Sequence, residues 1–317
     1  MKPLPIILMC LSLVAERAAA WGDEGHQAIA QAAYDRLAAN TKQKVDAILN
    51  GETLNDAAVW PDKIRGGNHP GPLAKTDEGK SFNKRFPHNS LWHFVDLPLD
   101  TQAYGQNLEF TSTNDIVHAI GRCIDALEGK PSQMTNWEAL RWLIHLVGDI
   151  HQPVHVGCGY FEFDDQNDPH LQTSPQYILA HGLIAGDDKG ANRLRYTATE
   201  KLHHYWDTVL VGHLSAPHQE LKPVLEARIA QANYQKTPGI YRSWASTWAG
   251  ASVHIAKSAY EGILFKDRGD DHGDWFIRID LPPDSQGYLQ NNLPVATDQL
   301  AKAAYNLAAL LNKIKWP

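Results

Sequence analysis

The amino-acid sequence predicts an all-α protein with a single compact helical domain, and three observations support this prediction. Apolar residues recur at helical spacing through most of the chain from residue 21 onward. The apolar content of 43 % in 317 residues is sufficient for a large core. No repeat, low-complexity tract or linker divides the sequence. We therefore expect one helical domain over residues 21–317, with long loops on one side around a cleft.

The individual helices are predicted from segments in which small or apolar residues repeat at helical spacing. A capping box, Thr135-Asn-Trp-Glu138, opens the central helix, and Pro153 ends it. Other helices are predicted over residues 25–39, 41–49, 56–64, 112–127, 192–211, 219–231, 238–260 and 297–314. Three stretches rich in Gly, Pro, Asn or Asp are predicted to be irregular, namely 66–90, 157–189 and 266–295.

The first twenty residues have the features of a secretory signal peptide. Lys2 precedes an apolar run from Leu4 to Val14, and Ala18-Ala-Ala20 is typical of a cleavage site. We expect cleavage before Trp21 and a secreted or periplasmic mature protein. No later segment contains 18 continuous apolar residues, so the sequence predicts no membrane span.

The net charge of −7 argues against a protein that binds duplex nucleic acid through a basic patch. Removal of residues 1–20 would leave 27 basic and 35 acidic residues, which gives a net charge of −8. Bound divalent ions could still attract an anionic substrate to this acidic protein, because each ion adds two positive charges in one place.

Two cysteines, Cys123 and Cys158, remain in the mature sequence. An exported protein folds in an oxidising compartment, where a disulfide between them would persist. The sequence does not fix the distance between the two thiols, so one disulfide and two free cysteines both stay open as alternatives.

The central predicted helix carries metal-binding residue types within an apolar sequence. His145 and Asp149 are four positions apart, so they lie on one face, about one turn from each other. Gly148 leaves space beside them, and Pro153 turns the chain so that His155 can approach. Imidazole and carboxylate groups in this arrangement suit a divalent metal. A buried His–Asp hydrogen bond together with surface histidines is the alternative interpretation.

A second predicted helix repeats this arrangement, with His203 and Asp207 four positions apart. The same residue types also occur singly, as His26 near the mature N-terminus, Asp62 after Trp60-Pro61, and His93. Each residue by itself is also explained as a surface histidine or a helix cap. Together, histidines and aspartates without zinc-finger cysteines favour a metal site assembled from several segments.

Five motifs, taken in order, make the chain similar to a known family. They are Trp21-x4-His26, Trp60-x-Asp62-x-Ile64, His93-Phe-Val-Asp96, His145-x3-Asp149-x-His-Gln-Pro-x-His155 and His203-x-x-Trp-Asp207. The sequence resembles the type I nuclease family, the secreted, zinc-dependent, single-strand-specific nucleases and 3′-nucleotidases of fungi, plants and bacteria. The resemblance covers nearly all of the mature chain. It implies an α-helical fold with three zinc ions at the bottom of a cleft.

The resemblance also implies which residues bind the three zinc ions. They are Asp62, His93, His145 and Asp149 for one ion; Trp21, through its α-amine and carbonyl oxygen, His26 and Asp149 for a second; and His155, His203 and Asp207 for the third. Asp149 would therefore bridge the close pair of ions. His151 and His204 are not among the implied ligands.

The activity implied by the resemblance is hydrolysis of phosphodiester bonds to products with a 5′-phosphate. Asp62 and Asp149 would be the catalytic residues, because they hold the zinc pair that positions the attacking water. Phe94 would stack on a nucleobase, and Asp96 would hydrogen-bond to its edge. Single-stranded DNA, RNA and 3′-mononucleotides are the expected substrates, since an unpaired base can enter an aromatic pocket. We expect a monomer.

The sequence departs from the family pattern after the His-Gln-Pro-x-His motif. Family members often carry a Gly-Gly-Asn turn there, whereas this chain has Asp188-Lys-Gly-Ala-Asn192, with Ala191 for one glycine. The segment before this turn is longer than usual. We expect residues 157–186 to form an irregular insertion near the cleft rim. Lys63, Arg65 and Lys189 are candidate phosphate contacts, with solvated surface charge as the alternative.

Two other functions were weighed against a nuclease. A zinc-dependent phospholipase C is expected to share the helical fold and the trinuclear site. The short spacing from Trp21 to His26, and Asp207 where the phospholipases use Glu, favour the nuclease. A non-enzymatic exported zinc-binding protein would bind the metal without turnover.

Overall fold

The computed structural model describes residues 21–215, 220–283 and 287–317. The predicted signal peptide, residues 1–20, lies outside the described residues. The described chain is mostly helical, with a few short sheets, which confirms the all-α prediction. Within these ranges no helix is long and apolar enough to cross a bilayer.

The α-helices of the described residues surround a common apolar core. They are α1 (Gly22–Tyr34), α2 (Ala39–Leu49), α3 (Leu54–Ile64), α4 (Asp77–Arg85), α5 (Ile116–Leu127), α6 (Asn136–Asp149), α7 (Pro175–Ala180), α8 (Leu202–His204), α9 (Leu210–Ser215), α10 (Leu221–Ala232), α11 (Trp244–Tyr260) and α12 (Tyr288–Leu311). A π-helical turn, Tyr205–Val209, connects α8 to α9. Short 3₁₀ turns cover Asn89–Leu91, Leu108–Phe110, Pro153–His155, Leu183–Gly186 and Tyr241–Ser243.

The strands form three small sheets. They are β1 (Leu97–Pro98), β2 (Gly157–Cys158), β3 (Tyr160–Phe163), β4 (Pro169–Gln172), β5 (Leu194–Arg195), β6 (Leu264–Asp271) and β7 (Asp274–Asp280). β1 pairs in parallel with β2, and β3 pairs antiparallel with β4. In the third sheet β7 lies between β5, to which it is parallel, and β6, to which it is antiparallel.

Helix α6 is the centre of the fold. It packs against α1, α2, α3, α5 and α12, and its residues from Glu138 to Asp149 are all buried. A helix surrounded in this way has apolar side chains on every face. The predicted capping box is present, because Thr135 accepts from the Glu138 backbone and the Glu138 side chain accepts from the Thr135 backbone. Side chains near the end of α6 are therefore held rigidly inside the molecule.

Two stretches that were predicted to be irregular contain regular structure. Helix α4 lies within residues 66–90, where Thr76 caps a polar helix that buries Phe82. Most of the β6–β7 hairpin, Leu264–Asp280, lies within residues 266–295. His272 and Gly273, the two residues between its strands, both have positive φ, as a type I′ turn requires. This hairpin is not evident from the sequence, because its turn has His272-Gly273 in place of the usual Asn-Gly pair.

Three other element predictions were wrong in part. Residues 192–201 are not helical, since β5 takes up their first part and α8 begins only at Leu202. Helix α12 begins at Tyr288 instead of residue 297, and it contains Pro294. The segment 157–186 is not irregular, because it contains β2, β3, β4 and α7. Long-range packing of Tyr288 and strand pairing decide these elements, and neither is visible in local periodicity.

Both mature cysteines are buried and free, Cys123 on α5 and Cys158 on β2. The disulfide that the sequence left open is therefore not formed between them. Cys158 instead lies in a buried polar network beside the candidate site.

Candidate active site

Asp149, the last residue of α6, faces three imidazole rings with its two carboxylate oxygens. Its Oδ1 lies 3.2 Å from Nε2 of His26 on α1. Its Oδ2 lies 3.0 Å from Nδ1 of His93 and 3.2 Å from Nε2 of His145. Asp149 has no solvent exposure. One buried carboxylate thus connects residues from α1, α6 and the segment after α4.

Asp62, His93 and His145 form the first cluster that could hold a metal ion, with one ligand atom from each within 4.8 Å of the others. Asp62 on α3 places Oδ1 3.9 Å from Nδ1 of His93 and Oδ2 3.7 Å from Nε2 of His145. Nδ1 of His93 and Nε2 of His145 are 3.1 Å apart.

The second cluster, His26, His145 and Asp149, shares His145 with the first, and its Asp149 contacts His93 of the first. The rings of His26 and His145 stack with their centroids 3.9 Å apart. The predicted role of Gly148 in leaving space is confirmed, because a Cβ there would meet Nδ1 of His26 at 2.8 Å. The close approach of α1 to α6 therefore needs a glycine at this position.

The third cluster contains His155, His203 and Asp207. Nε2 of His203 lies 3.2 Å from Oδ2 of Asp207, and Nε2 of His155 lies 3.9 Å from Oδ1 of the same carboxylate. Asp207 belongs to the π-helical turn, a local widening of a helix that often occurs at functional sites. The i, i+4 contact predicted for His203 and Asp207 is present despite this irregularity.

Backbone carbonyls fix the tautomers of three of these histidines. Nδ1 of His145 donates to Ala58 O at 2.8 Å, Nδ1 of His155 to His93 O at 2.9 Å, and Nδ1 of His203 to Gly190 O at 2.6 Å. A carbonyl only accepts, so Nδ1 must carry the hydrogen, and Nε2 of the neutral ring presents a lone pair to its cluster. Oriented imidazoles of this kind are typical of metal ligands.

Unsatisfied buried atoms concentrate where the clusters meet. Within the described part of the chain, both oxygens of Asp62, both ring nitrogens of His26, Oδ1 of Asp149 and Oδ2 of Asp207 lack a hydrogen-bond partner. Such groups are costly to bury unless something neutralises them. A divalent cation that accepts N and O ligands removes this cost, so the residues present fit a bound metal such as zinc.

A cavity of about 250 Å³ includes both residues predicted to bind a base, Phe94 and Asp96, and Phe94 directly follows His93 of the first cluster. Tyr160, Ile184 and Asp187 form other parts of its wall. Burial, together with the charges of Asp187 and Asp188, raises the pKa of Asp96 to about 7. The cavity therefore combines an aromatic face with a carboxyl group that titrates near neutrality.

A family model described as S1/P1 nuclease matches residues 21–315 of the sequence. The chain belongs to the S1/P1 nuclease family. Nuclease S1 of Aspergillus oryzae is 26 % identical over 333 residues, covering 98 % of this chain and 97 % of that protein. Endonuclease 2 of Arabidopsis thaliana is 23 % identical, covering 99 % of this chain and 98 % of the relative. Endonuclease 1 of the same plant is 24 % identical, with coverages of 98 % and 91 %.

Membership in the S1/P1 nuclease family supports the predicted single-strand-specific endonuclease and makes the chain a hydrolase of phosphodiester bonds. The family that matches is a nuclease family, in agreement with the motif spacings that favoured a nuclease over a phospholipase C. The two adjoining clusters, the third cluster and the Phe94–Asp96 cavity thus lie in the fold of a nucleic-acid hydrolase.

Trp21 of this nuclease contacts Asp207 of the third cluster and the end of α6. It has no solvent exposure, and its backbone nitrogen donates to Oδ1 of Asp207 at 3.3 Å. Its indole Nε1 donates to Gly148 O at 3.0 Å, next to Asp149. The free amine predicted for Trp21 depends on cleavage after residue 20, which is outside the described residues.

The two histidines excluded from the ligand set make other contacts. His151 is buried, donates from Nδ1 to Val147 O at 2.8 Å, and accepts at Nε2 from Asn306 at 2.8 Å. His204 lies 3.5 Å from Glu200. Of the candidate phosphate contacts, Lys189 pairs with Asp274 at 2.7 Å, whereas Arg65 lies 3.6 Å from Oδ1 of Asp62 at the first cluster.

Several residues of the nuclease site were missed by the sequence analysis. Gln152 is fully buried and donates to Oδ1 of Asp207 at 2.7 Å, while it accepts from the Val154 backbone. Its place between two candidate ligands could have suggested this supporting role. Ile184 and Asp187 line the Phe94–Asp96 cavity, yet no periodicity in their stretch of sequence indicates it.

Proposed function

We propose that the protein is an exported zinc-dependent endonuclease that cleaves single-stranded DNA and RNA to 5′-phosphate products and also acts on 3′-mononucleotides. The mature chain would begin at Trp21 and fold as one domain. The single observation that carries the proposal is the Asp149 carboxylate, which contacts histidines of two adjoining clusters through its two oxygens.

The proposal assigns three zinc ions to the clusters. The first ion would be held by Asp62, His93, His145 and Asp149. The second would be held by Trp21, His26 and Asp149, and the third by His155, His203 and Asp207. Zinc in these positions supplies Lewis acidity, which acidifies water and neutralises charge on the phosphate and the leaving oxygen. The unsatisfied oxygens and ring nitrogens at the same positions support this assignment.

The protein's own residues would then orient the reaction. Lone pairs of the Asp62 and Asp149 oxygens that do not contact the metal would accept the hydrogens of an attacking water. The carbonyls of Ala58, His93 and Gly190 keep three imidazoles in a fixed tautomer. Because the clusters are buried, no side chain has to reorganise as charge develops on the phosphate.

Binding of a single strand would use the cavity and Arg65. A base stacks on Phe94 and hydrogen-bonds to Asp96, which a base paired within a duplex cannot do. Arg65 is mostly buried, and its Nε has no hydrogen-bond partner within the described residues. Its position 3.6 Å from Asp62 suits a contact with a phosphate oxygen at the first cluster.

The test is an assay of purified protein that begins at Trp21. Single-stranded DNA, duplex DNA of the same sequence and phosphatidylcholine vesicles are compared, with zinc content measured on the same samples. We expect cleavage of the single strand, 5′-phosphate ends, and three zinc ions per chain. Hydrolysis of the vesicles with intact DNA would identify a phospholipase, and bound zinc without turnover of either substrate would identify a binding protein.

A further inference from the structure

A left-handed turn follows the segment that lines the base cavity. Lys189, Gly190 and Ala191 have φ values of 56°, 57° and 64°. This conformation is unfavourable for residues that carry a side chain, so it persists only where other contacts hold it. A Cβ at Gly190 would meet the carbonyl oxygen of Val154 at 2.2 Å, which shows that the turn is pressed against the segment before His155.

The turn contacts His203 through two carbonyls. Gly190 O accepts from Nδ1 of His203 at 2.6 Å, and Ala191 O accepts from the His203 backbone nitrogen at 3.3 Å. The first contact places the ring hydrogen on Nδ1 and directs Nε2 towards His155 and Asp207. The position of Gly190 therefore sets the orientation of one residue in the third cluster.

Asp188 stabilises this turn through hydrogen bonds to its carboxylate. It is fully buried, and its Oδ1 accepts from the Ala191 backbone at 2.8 Å and from Sγ of Cys158 at 3.2 Å. Its Oδ2 accepts from the hydroxyl of Tyr260 at 2.9 Å, and that hydroxyl accepts from the Gly159 backbone at 3.1 Å. The carboxylate thus connects β2 and α11 to the turn.

We infer that Asp188, held by Cys158 and Tyr260, is a positioning residue for the third cluster, because it fixes the Gly190 carbonyl that orients His203. The inference rests on the proposed function only in that the third cluster binds zinc. It gives a role to an aspartate that belongs to none of the clusters. It also explains why a strained turn is retained beside them.

Variants of Asp188 and of its two partners test the inference in the mature chain. Asp188→Asn preserves the shape of the side chain but places an amide donor where the hydroxyl of Tyr260 also donates. Tyr260→Phe removes one of the hydrogen-bond donors to the Asp188 carboxylate. Cys158→Ala removes the thiol, and Cys158→Ser restores a donor. Cys123→Ala is the matched control, because it deletes an equally buried free thiol on α5.

The first readout is zinc affinity in competition with a chelator. We expect Asp188→Asn to weaken one zinc ion per chain by roughly 10- to 100-fold, as loss of a supporting hydrogen bond commonly does, and to leave the other two ions bound. Cys158→Ala and Tyr260→Phe should act at the same ion more weakly, while Cys158→Ser and Cys123→Ala should resemble the parent. Equal weakening of all three ions, or the same effect in Cys123→Ala, would overturn the inference.

The second readout is the ¹⁵N chemical shifts of the His203 ring, recorded on the protein as purified and after chelation. After chelation we expect a hydrogen on Nδ1 in the parent and a mixture of tautomers in Asp188→Asn, whereas zinc bound at Nε2 would keep the hydrogen on Nδ1 in every zinc-loaded sample. If Asp188→Asn does not fold, the milder Cys158→Ala and Tyr260→Phe carry the same test. An unchanged tautomer in all three variants overturns the inference. Absence of zinc from the parent would contradict the proposed function instead, since the tautomer of the chelated protein does not depend on zinc.

Discussion

The Nε2 atoms of His155 and His203 lie 3.1 Å apart, and each ring donates its Nδ1 hydrogen to a backbone carbonyl. Burial lowers the pKa of both rings to about 4, so both are neutral at pH 7. Two neutral rings in this tautomer turn lone pairs towards each other, which is repulsive unless a cation lies between them. The third cluster is thus arranged for a positive ion before any substrate arrives.

We expect Asp149→Asn to be among the most damaging single substitutions, because it weakens the link between two adjoining clusters at once. The loss in kcat/KM should reach about 100-fold or more, since even residues that only support a ligand are worth 10- to 100-fold. His151→Ala is the matched control two positions away. It should keep the zinc content and lower the free energy of unfolding by about 1–3 kcal/mol, because Asn306 loses its acceptor. Equal zinc loss in both variants would contradict the assignment.

Base preference should depend on pH through Asp96, whose pKa of about 7 lies far above its ordinary value. Below pH 7 the neutral carboxyl can donate to one ring nitrogen of adenine and accept from its amino group. Above pH 7 the carboxylate only accepts, which suits the two donors on the guanine edge. We therefore expect the ratio of kcat/KM for 3′-AMP to that for 3′-GMP to fall from pH 6 to pH 8. In Asp96→Asn this ratio should not change with pH.

The same carboxyl predicts a change in stability with pH. Its folded pKa is raised, so the native state binds the proton more tightly than the unfolded chain, and stability is lost as pH rises from about 4 to about 7. Asp96→Asn removes this cost. Its melting temperature relative to the parent should therefore be higher at pH 8 than at pH 5, and a difference that is constant with pH would contradict the shifted pKa.

Processing at Trp21 should control one zinc site. The backbone nitrogen of Trp21 is buried and lies 3.3 Å from Oδ1 of Asp207. Only a free α-amine at this position is basic enough to bind zinc well, because the nitrogen of a peptide bond is not basic. A chain with a few residues fused ahead of Trp21 should bind less zinc and cleave single-stranded DNA far more slowly than the chain that begins there. Equal zinc content and activity in both would remove Trp21 from the ligand set.

Removal of the metal should destabilise the protein as well as inactivate it. Ligands from several chain segments converge in the folded state only, so bound zinc adds its binding free energy to stability, about 2.7 kcal/mol when free zinc is 100 times Kd. Calorimetry before and after chelation measures this effect. A melting temperature that does not change after complete removal would exclude a structural role for the clusters.

The parts of the site that follow from local sequence could be predicted. The capping box at Thr135, the face shared by His145 and Asp149, and the space left by Gly148 depend only on helical geometry. The predicted contact between His203 and Asp207 is present even though a π-helical turn replaces the regular helix there. The ligand groups themselves came from the family resemblance.

Other parts could not be predicted, because they depend on residues distant in the chain. Helix α4 is polar apart from Phe82, and the core that receives this ring comes from other elements. The cavity wall at Ile184 depends on how the segment from β2 to the 3₁₀ turn Leu183–Gly186 folds back over Phe94. The support of His203 by Asp188 requires β2, α11 and the left-handed turn to meet. None of these long-range contacts produces a periodic pattern in the sequence.

The location of Ile184 in the chain has a consequence for protein engineering. Ile184 approaches the Phe94–Asp96 cavity from an exposed surface turn, whereas the histidines and aspartates of the clusters are mostly buried. A designer could therefore exchange Ile184 to alter which nucleotide is preferred while every residue of the clusters keeps its contacts.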